Sequence, residues 1–306
     1  WWGKPAKNAE TINVIIEQGD SLAAVADKLK NSKIIKRKGL FKVYSWQSGS
    51  AAKIKPGSFD LYPGDNFKNI ISIITIAPHN DVAITVPEGY TLAQIGELVA
   101  ENFDITMEEW NKAVGQFSPL EDHPFVIKAQ KPDNVDLEGY LFPDTYRFYP
   151  DANAEEIAQK MLDEMAEKFD DSSVPDGWTI HSVLTLASIV EKEVRTPEDM
   201  AMVADIFIKR LEIGMALQSD ATVNYITGGN SAAVSGADLD IDSLYNTYKY
   251  SGLPPGPISN PGLAAINAVL HPKSNDYYYF LTTKAGDVIY AKTFDEHIAN
   301  KAKYLY

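Results

Sequence analysis

Cysteine is absent from the 306 residues, which removes disulfides, Cys-based zinc sites and thiol nucleophiles together and suits either a cytoplasmic or an exported, thiol-free setting. Long hydrophobic runs are missing too. No stretch approaches the roughly 18 consecutive apolar residues a membrane-spanning helix needs, and no basic-then-apolar leader opens the chain. Positive charge is scarce: 28 Lys and Arg against 42 Asp and Glu leave a net charge of −14, which repels phosphate backbones and argues against nucleic-acid partners. His79, His123, His181, His271 and His297 stand far apart, with no pair at the i, i+3 or i, i+4 spacing that puts ligands on one helix face, so no metal site is expected. There is no G-x-S-x-G elbow. "TGGNSAAVSG" (227 to 236) lacks the Lys-Ser/Thr ending of a phosphate loop and reads as a surface loop.

What is present is globular: 45% of residues are apolar, and the length suits two or three domains. Three segments follow one plan: "VIIEQGDSLAAVADKL" (14 to 29), "FDLYPGDNFKNIISII" (59 to 74) and "ITVPEGYTLAQIGELV" (84 to 99). In each, a β-branched or aromatic run meets Gly19, Gly64 or Gly89, then an N-cap candidate at Ser21, Asn66 or Thr91. A buried stripe is expected to follow: Leu22, Val25, Leu29; Phe67, Ile70, Ile74; Leu92, Ile95, Val99. These are strand–turn–helix units. The first two, with "KIKPGSFDLYPGD" between them, resemble a LysM-like sugar-binding module, expected over 1–80. An α+β connecting subdomain is expected over 81–150, including a proline-rich connection at 118 to 136. Helix patterns then dominate at 154 to 169, 178 to 195 and 198 to 213. The fold class expected is therefore α+β: LysM-like N-terminal α/β modules followed by a mostly helical domain, 151–306, with a small β element around "YYYFLTT". The chain opens on "WWGKPAKNAE", and because tryptophans commonly sit where a spanning helix leaves lipid, a boundary just past an anchor is expected there.

The helix containing "LASIVEKEV" (186 to 194) is the most informative. At about 100° per residue, Val183, Leu186, Ala187, Val190 and Val194 form an apolar arc, widened by Ile189 on one flank and Leu184 on the other. Lys192 faces away. Glu193 falls on the Leu186/Ile189 flank and Glu191 on the Leu184 flank, so either carboxyl can be partly desolvated, which raises a pKa toward the range where it donates a proton near neutrality. The pattern does not choose between them, and it also allows both to be ordinary solvated residues at a helix end.

"LEGYLFPDTYRF", "LASIVEKE", "IFIKRLEIGMALQSDATVNY" and "YNTYKYSGLPPGPISNPGLAAINAVLHP", in that order, resemble the YceG-like (MltG) family of endolytic murein transglycosylases. The resemblance covers roughly 84 to 306 well. It implies a lyase that cleaves peptidoglycan glycan strands internally, between N-acetylmuramic acid and N-acetylglucosamine, leaving 1,6-anhydro ends. It also implies a single-pass anchor in the cell inner membrane with the catalytic part on the periplasmic, extracytoplasmic side, expected of the parent chain because no anchor lies in this one. The implied partners are glycan strands and the cell-wall synthases (penicillin-binding proteins) that make them. No metal or organic cofactor is expected.

Such chemistry can run on one carboxyl group, which protonates the leaving oxygen and then accepts a proton from the sugar's own 6-hydroxyl. Other lytic transglycosylases carry an isoleucine four residues before the acid, and Ile189 and Glu193 fit that spacing. Glu193 is thus the expected catalytic residue and Glu191 its alternative. The family-typical Glu-Ser pair is absent, since Val194 follows, so any orienting hydroxyl or amide must come from elsewhere. By the same resemblance, Gln218, Asp220, Asn246 and Tyr248 are expected to bind sugar, together with Glu191 if it is not the acid, with "GLPPGPISNPG" walling the groove and "GYLFPDTY" docking the N-terminal modules. Two other readings fit the residues: a non-catalytic wall-binding module, and a hydrolase pairing Glu193 with Asp220.

Overall fold

The computed structural model describes residues 11–17, 19–75, 82–148, 150–229 and 236–305. The opening decapeptide and most of "TGGNSAAVSG" lie outside these. The described chain is a helix-rich α+β protein with three separate two-stranded antiparallel sheets, in two compact units, 1–81 and 82–306. No helix among the described residues is long and apolar enough to cross a membrane.

In the first unit, strand β1 (Ile12–Ile16) pairs with β2 (Gly57–Leu61), Val14 opposite Phe59, and the helices α1 (Leu22–Asn31) and α2 (Lys38–Gln47) lie between them in sequence. The helix α3 (Phe67–Thr75) follows β2. Ser21 caps α1 by accepting the Ala24 N–H, and Asn66 accepts the Asn69 N–H at 2.9 Å. The glycines before these caps adopt positive φ, +92° at Gly19 and +80° at Gly64, where a Cβ would be strained. The apolar alternation of β1 then buries Val14 and Ile16 against Val25, Leu29, Phe41, Ile70 and Ile74. The helix α2 had no counterpart in the sequence reading.

The second unit opens the same way: β3 (Val82–Thr85), Gly89 at φ +75°, and α4 (Leu92–Asn102) with a capping box between Thr91 and Gln94. Two further helices, α5 (Met107–Val114) and α6 (Pro124–Ala129), lie before β4 (Thr145–Phe148), which pairs with β3. The proline-rich stretch expected as a plain connection therefore contains a helix, because Pro124 stands at its start, where a missing N–H costs nothing. The pattern helices appear as α7 (Ala154–Lys168), α8 (Ile180–Glu193) and α9 (Pro197–Glu212). They are followed by α10 (Asp220–Thr227), α11 (Leu263–Leu270), the hairpin β5 (Tyr279–Thr282) and β6 (Val288–Ala291), and α12 (Phe294–Tyr304). One hydrophobic core runs from Ile84 to Leu270, so residues on both sides of the expected 150/151 division share it.

Two segments expected at surfaces are instead interior. In "GYLFPDTY", Tyr140, Leu141 and Phe142 belong to the core of the second unit, with the Tyr140 hydroxyl 2.8 Å from His181 Nδ1. The "GLPPGPISNPG" loop is a buried strap across α8 rather than a groove wall: the Ile258 N–H donates to Ser188 Oγ, and Pro255 O accepts from His181 Nε2. Asn260 ties the strap down. It is fully buried, its Nδ2 donates to Tyr90 O and Glu138 Oε1, and its Oδ1 accepts the Leu141 N–H. Glu138 in turn accepts the Leu92 N–H at the start of α4, and burial pushes its carboxyl up to about 8.

Replacing Asn260 leaves the buried Leu141 N–H without its acceptor and takes one of two donors each from Tyr90 O and Glu138 Oε1, so Asn260→Ala is expected to destabilise the second unit by about 1–3 kcal/mol. Thermal unfolding followed by circular dichroism checks this, and a melting curve unchanged from wild type contradicts it.

Candidate active site

Every residue from Val183 to Val190 is buried, so the middle of α8 runs through the core and its last turn emerges from it. Glu191 and Glu193 then point about 160° apart, and they meet different neighbours.

Glu193 is the final residue of α8; Val194 is extended, at φ −144° and ψ 161°. The Ser219 hydroxyl donates to its Oε1, and the Ala221 backbone N–H is close enough to favour the ionised carboxyl. Both groups belong to the first turn of α10. Ser219 occupies the N-cap position there but makes no side-chain bond to its own helix. Its hydroxyl is turned toward Glu193, and the Glu193 carboxyl takes over the capping role from another helix. Burial raises the carboxyl to about 7 and the Asp220 charge pushes it the same way, while Ser219, the Ala221 N–H and Arg210 pull it down. Burial dominates because the carboxyl is largely withdrawn from water at the edge of the core. Neither Glu193 nor Glu191 is an ordinary solvated end.

The partners of Glu193 are themselves held. Arg210, on α9, is buried; its Nε donates to Tyr278 O and its Nη1 to Leu217 O, both at 2.7 Å, and its guanidinium lies 5.1 Å from the centre of the Tyr279 ring. The Ser219 N–H donates to Thr247 Oγ1 at 3.0 Å and the Gln218 N–H to Thr247 O at 3.1 Å, which stitches the 246–248 loop to the start of α10. The Tyr248 hydroxyl donates to Asp220 Oδ1 at 2.5 Å. The Thr282 hydroxyl on β5 reaches Glu193 O at 3.4 Å.

Of the residues expected to bind sugar, Asp220 and Tyr248 are thus brought beside Glu193. Gln218 is exposed two residues before Asp220, in the left-handed region at φ +52°. Asn246 is not available to a ligand. It is fully buried, its Nδ2 donates to Leu239 O and Ile241 O, and its Oδ1 accepts the Tyr248 N–H, so its amide builds the loop. Glu191 accepts the Gly262 N–H at 3.1 Å and thereby caps α11. Burial raises its pKa, and Glu88 nearby adds to the rise. A Cβ on Gly262 would stand 1.9 Å from Glu88 Oε1, so a side chain there would require the exposed Glu88 to turn away. Ser219, Arg210, Thr247 and Thr282 were not singled out in the sequence. Ser219 stood inside "LQSDATVNY", where a serine ahead of a helix reads as an ordinary cap. Concavities of about 450 and 410 Å³, lined by residues such as Asp104 and Asn153 or His123 and Phe169, contain none of these groups.

The profile of the YceG-like family matches residues 14–303. The chain is 36% identical to an endolytic murein transglycosylase of Bacillus subtilis, over 96% of this chain and 85% of that one. It is 28% identical to an endolytic murein transglycosylase of Streptococcus pneumoniae, over 98% of this chain and 59% of the relative's length. Among solved structures, a yceG-like protein from Listeria monocytogenes superposes with a TM-score of 0.62 at 32% identity, covering 95% of this chain and 99% of that one.

A carboxyl raised from 4.5 to about 7 in the folded state makes folding less favourable as pH rises through that window, because the unfolded chain ionises first. Below pH 4.5 both states are protonated and nothing is lost; above 7 the loss is complete, about 3 kcal/mol. Denaturant titrations at pH 5 and pH 8 are expected to show a smaller stability difference for Glu193→Gln than for wild type. Ser219→Ala removes a bond to the ionised form and is expected to move the Glu193 titration above 7, read by carbon NMR of the labelled carboxyl. A Glu193 titrating like a free glutamate overturns the assignment.

Proposed function

The chain belongs to the YceG-like family, and on that premise we propose that it is an endolytic lytic transglycosylase of peptidoglycan with Glu193 as its single acid and base. The observation that carries this reading is the state of Glu193: a carboxyl at the mouth of a helix, raised to about 7 by burial and held by a hydroxyl. Near neutrality such a group is populated in both forms, which a residue that first gives and then takes a proton requires.

In the proposed reaction Glu193 protonates the glycosidic oxygen between N-acetylmuramic acid and N-acetylglucosamine as the bond from the anomeric carbon breaks. The 6-hydroxyl oxygen of the same muramic residue bonds to that carbon, and its proton passes to the Glu193 carboxylate. The enzyme returns to its starting state and no water is consumed. Ser219 supplies the orienting hydroxyl that a Val194 neighbour cannot, donating to one of the two carboxyl oxygens. Asp220 is paired with the Tyr248 hydroxyl, and its charge discourages ionisation of Glu193. Tyr248 and the exposed Gln218 are the side chains from which sugar contacts are drawn in this reading.

The N-terminal unit is read as LysM-like, on the support of its order: two antiparallel strands with two helices between them in the chain. The reading also places the chain outside the cytoplasmic membrane, as part of an anchored protein working alongside the synthases that make the glycan.

Mass spectrometry of digested, uncrosslinked glycan is the test. Ends lighter by one water than reducing ends are expected; reducing ends would identify a hydrolase that uses a second carboxylate such as Asp220, and no cleavage would leave a binding module. Glu193→Gln is expected to lose on the order of 10²–10⁴-fold in rate, whereas Glu191→Gln retains cleavage because its carboxyl caps α11. The first step needs protonated Glu193, so cleavage is expected to fall as pH rises above about 7. Loss of activity in the Glu191 variant alone would transfer the role to that residue.

A further inference from the structure

The two units carry opposite charge. Residues 1–81 hold twelve Lys and Arg against seven Asp and Glu, a net +5, while the remaining residues hold sixteen against thirty-five, a net −19. The positive charge is concentrated further: residues 28 to 55 contain nine Lys and Arg and no acid. Such asymmetry within one chain is a mark of binding to an anionic surface.

The helix α2 lies in the middle of that stretch. Its inner face, Phe41 and Ser45, is buried in the first unit, and Ser45 Oγ donates to Phe41 O. Its outer face presents Leu40, Val43 and Trp46, which are 51%, 53% and 77% exposed. On a helix these three fall within an arc of about 120°. Cations frame the arc: Lys36, Arg37 and Lys38 are exposed at its start, and Lys42 stands one turn before Trp46. Lys28 pairs with Glu17 and Asp20, and Lys38 with Asp27; among the described residues the other seven cations form no ion pair.

The combination selects the partner. A soluble anionic polymer would neutralise the cations but leave an indole and two aliphatic side chains in water. An apolar protein groove would cover those three and leave the cations without counter-charge. A bilayer of anionic lipids satisfies both, since the apolar arc enters the headgroup–acyl boundary while the lysine stems reach back to lipid phosphates, and an indole favours that interface. We propose that the outer face of α2 docks on the surface of an anionic lipid bilayer. This reading is independent of the chemistry assigned to Glu193.

The test is co-sedimentation of the full chain with vesicles of phosphatidylcholine, with and without phosphatidylglycerol. Binding is expected only to the anionic vesicles and to weaken steeply with added salt. Trp46→Ser with Val43→Ser is expected to reduce partitioning by roughly tenfold, and Lys36→Glu with Arg37→Glu by at least about tenfold. Because all four side chains are exposed, circular dichroism should report unchanged folding. Brominated lipid is expected to quench tryptophan emission more in wild type than in Trp46→Phe; Trp1 and Trp2 are common to both and cancel. Equal partitioning of the Trp46/Val43 variant and wild type, or binding that ignores phosphatidylglycerol, would overturn the proposal. So would full competition by soluble poly(glycerol phosphate) together with indifference to the Trp46 change, which would assign the cations to an anionic polymer instead.

Discussion

One carboxyl group standing in for the cap of a helix it does not belong to is the interaction on which the site depends. Glu193 ends α8, and α10 begins where its Ser219 hydroxyl and Ala221 N–H converge on that carboxyl. The start of a helix offers unsatisfied N–H groups and partial positive charge, which favour an anion. The core beside it disfavours one. Because desolvation outweighs the hydrogen bonds, the balance falls near neutrality rather than in the usual range of a carboxylic acid.

The rest of the second unit serves to make that meeting reproducible. A helix buried on all sides cannot tilt or rotate without opening the core, so the direction in which α8 delivers its last residue is set by Val183 to Val190 and by the strap that Asn260 holds across it. Arg210 joins the approach to α10 with the start of the β5–β6 hairpin, through Leu217 O on one side and Tyr278 O on the other. Thr247 does the same for the following loop. Glu191, two residues earlier on the same turn, meets a different helix start and is engaged there. Two chemically identical side chains thus acquire different roles from the direction each one leaves the helix.

The first unit follows another logic. Its core is small and formed by the strand alternation and helix stripes that the sequence displays, and its outer surface carries charge opposite to that of the rest of the chain. The exposed arc of α2 is invisible to a reading that looks for apolar residues only in order to bury them. Leu40, Val43 and Trp46 have helical spacing, but so does Phe41, and only packing distinguishes the face that turns inward.

Local signals in the sequence determined the strand–turn–helix units, with their glycines at positive φ and their caps at Ser21, Asn66 and Thr91. They also determined the long helices α7 to α9 and the narrowing of candidate acids to Glu191 and Glu193, since all of these depend on neighbours within a few residues. The tertiary structure alone decided the partners. That Ser219 turns from its own helix to another's last residue, that Asn246 closes a loop rather than facing a ligand, and that the proline-rich strap lies inside are outcomes of contacts between residues some five to more than a hundred positions apart. Desolvation, which sets the pKa of Glu193, is a property of everything packed around it and is not encoded in any single stretch of chain.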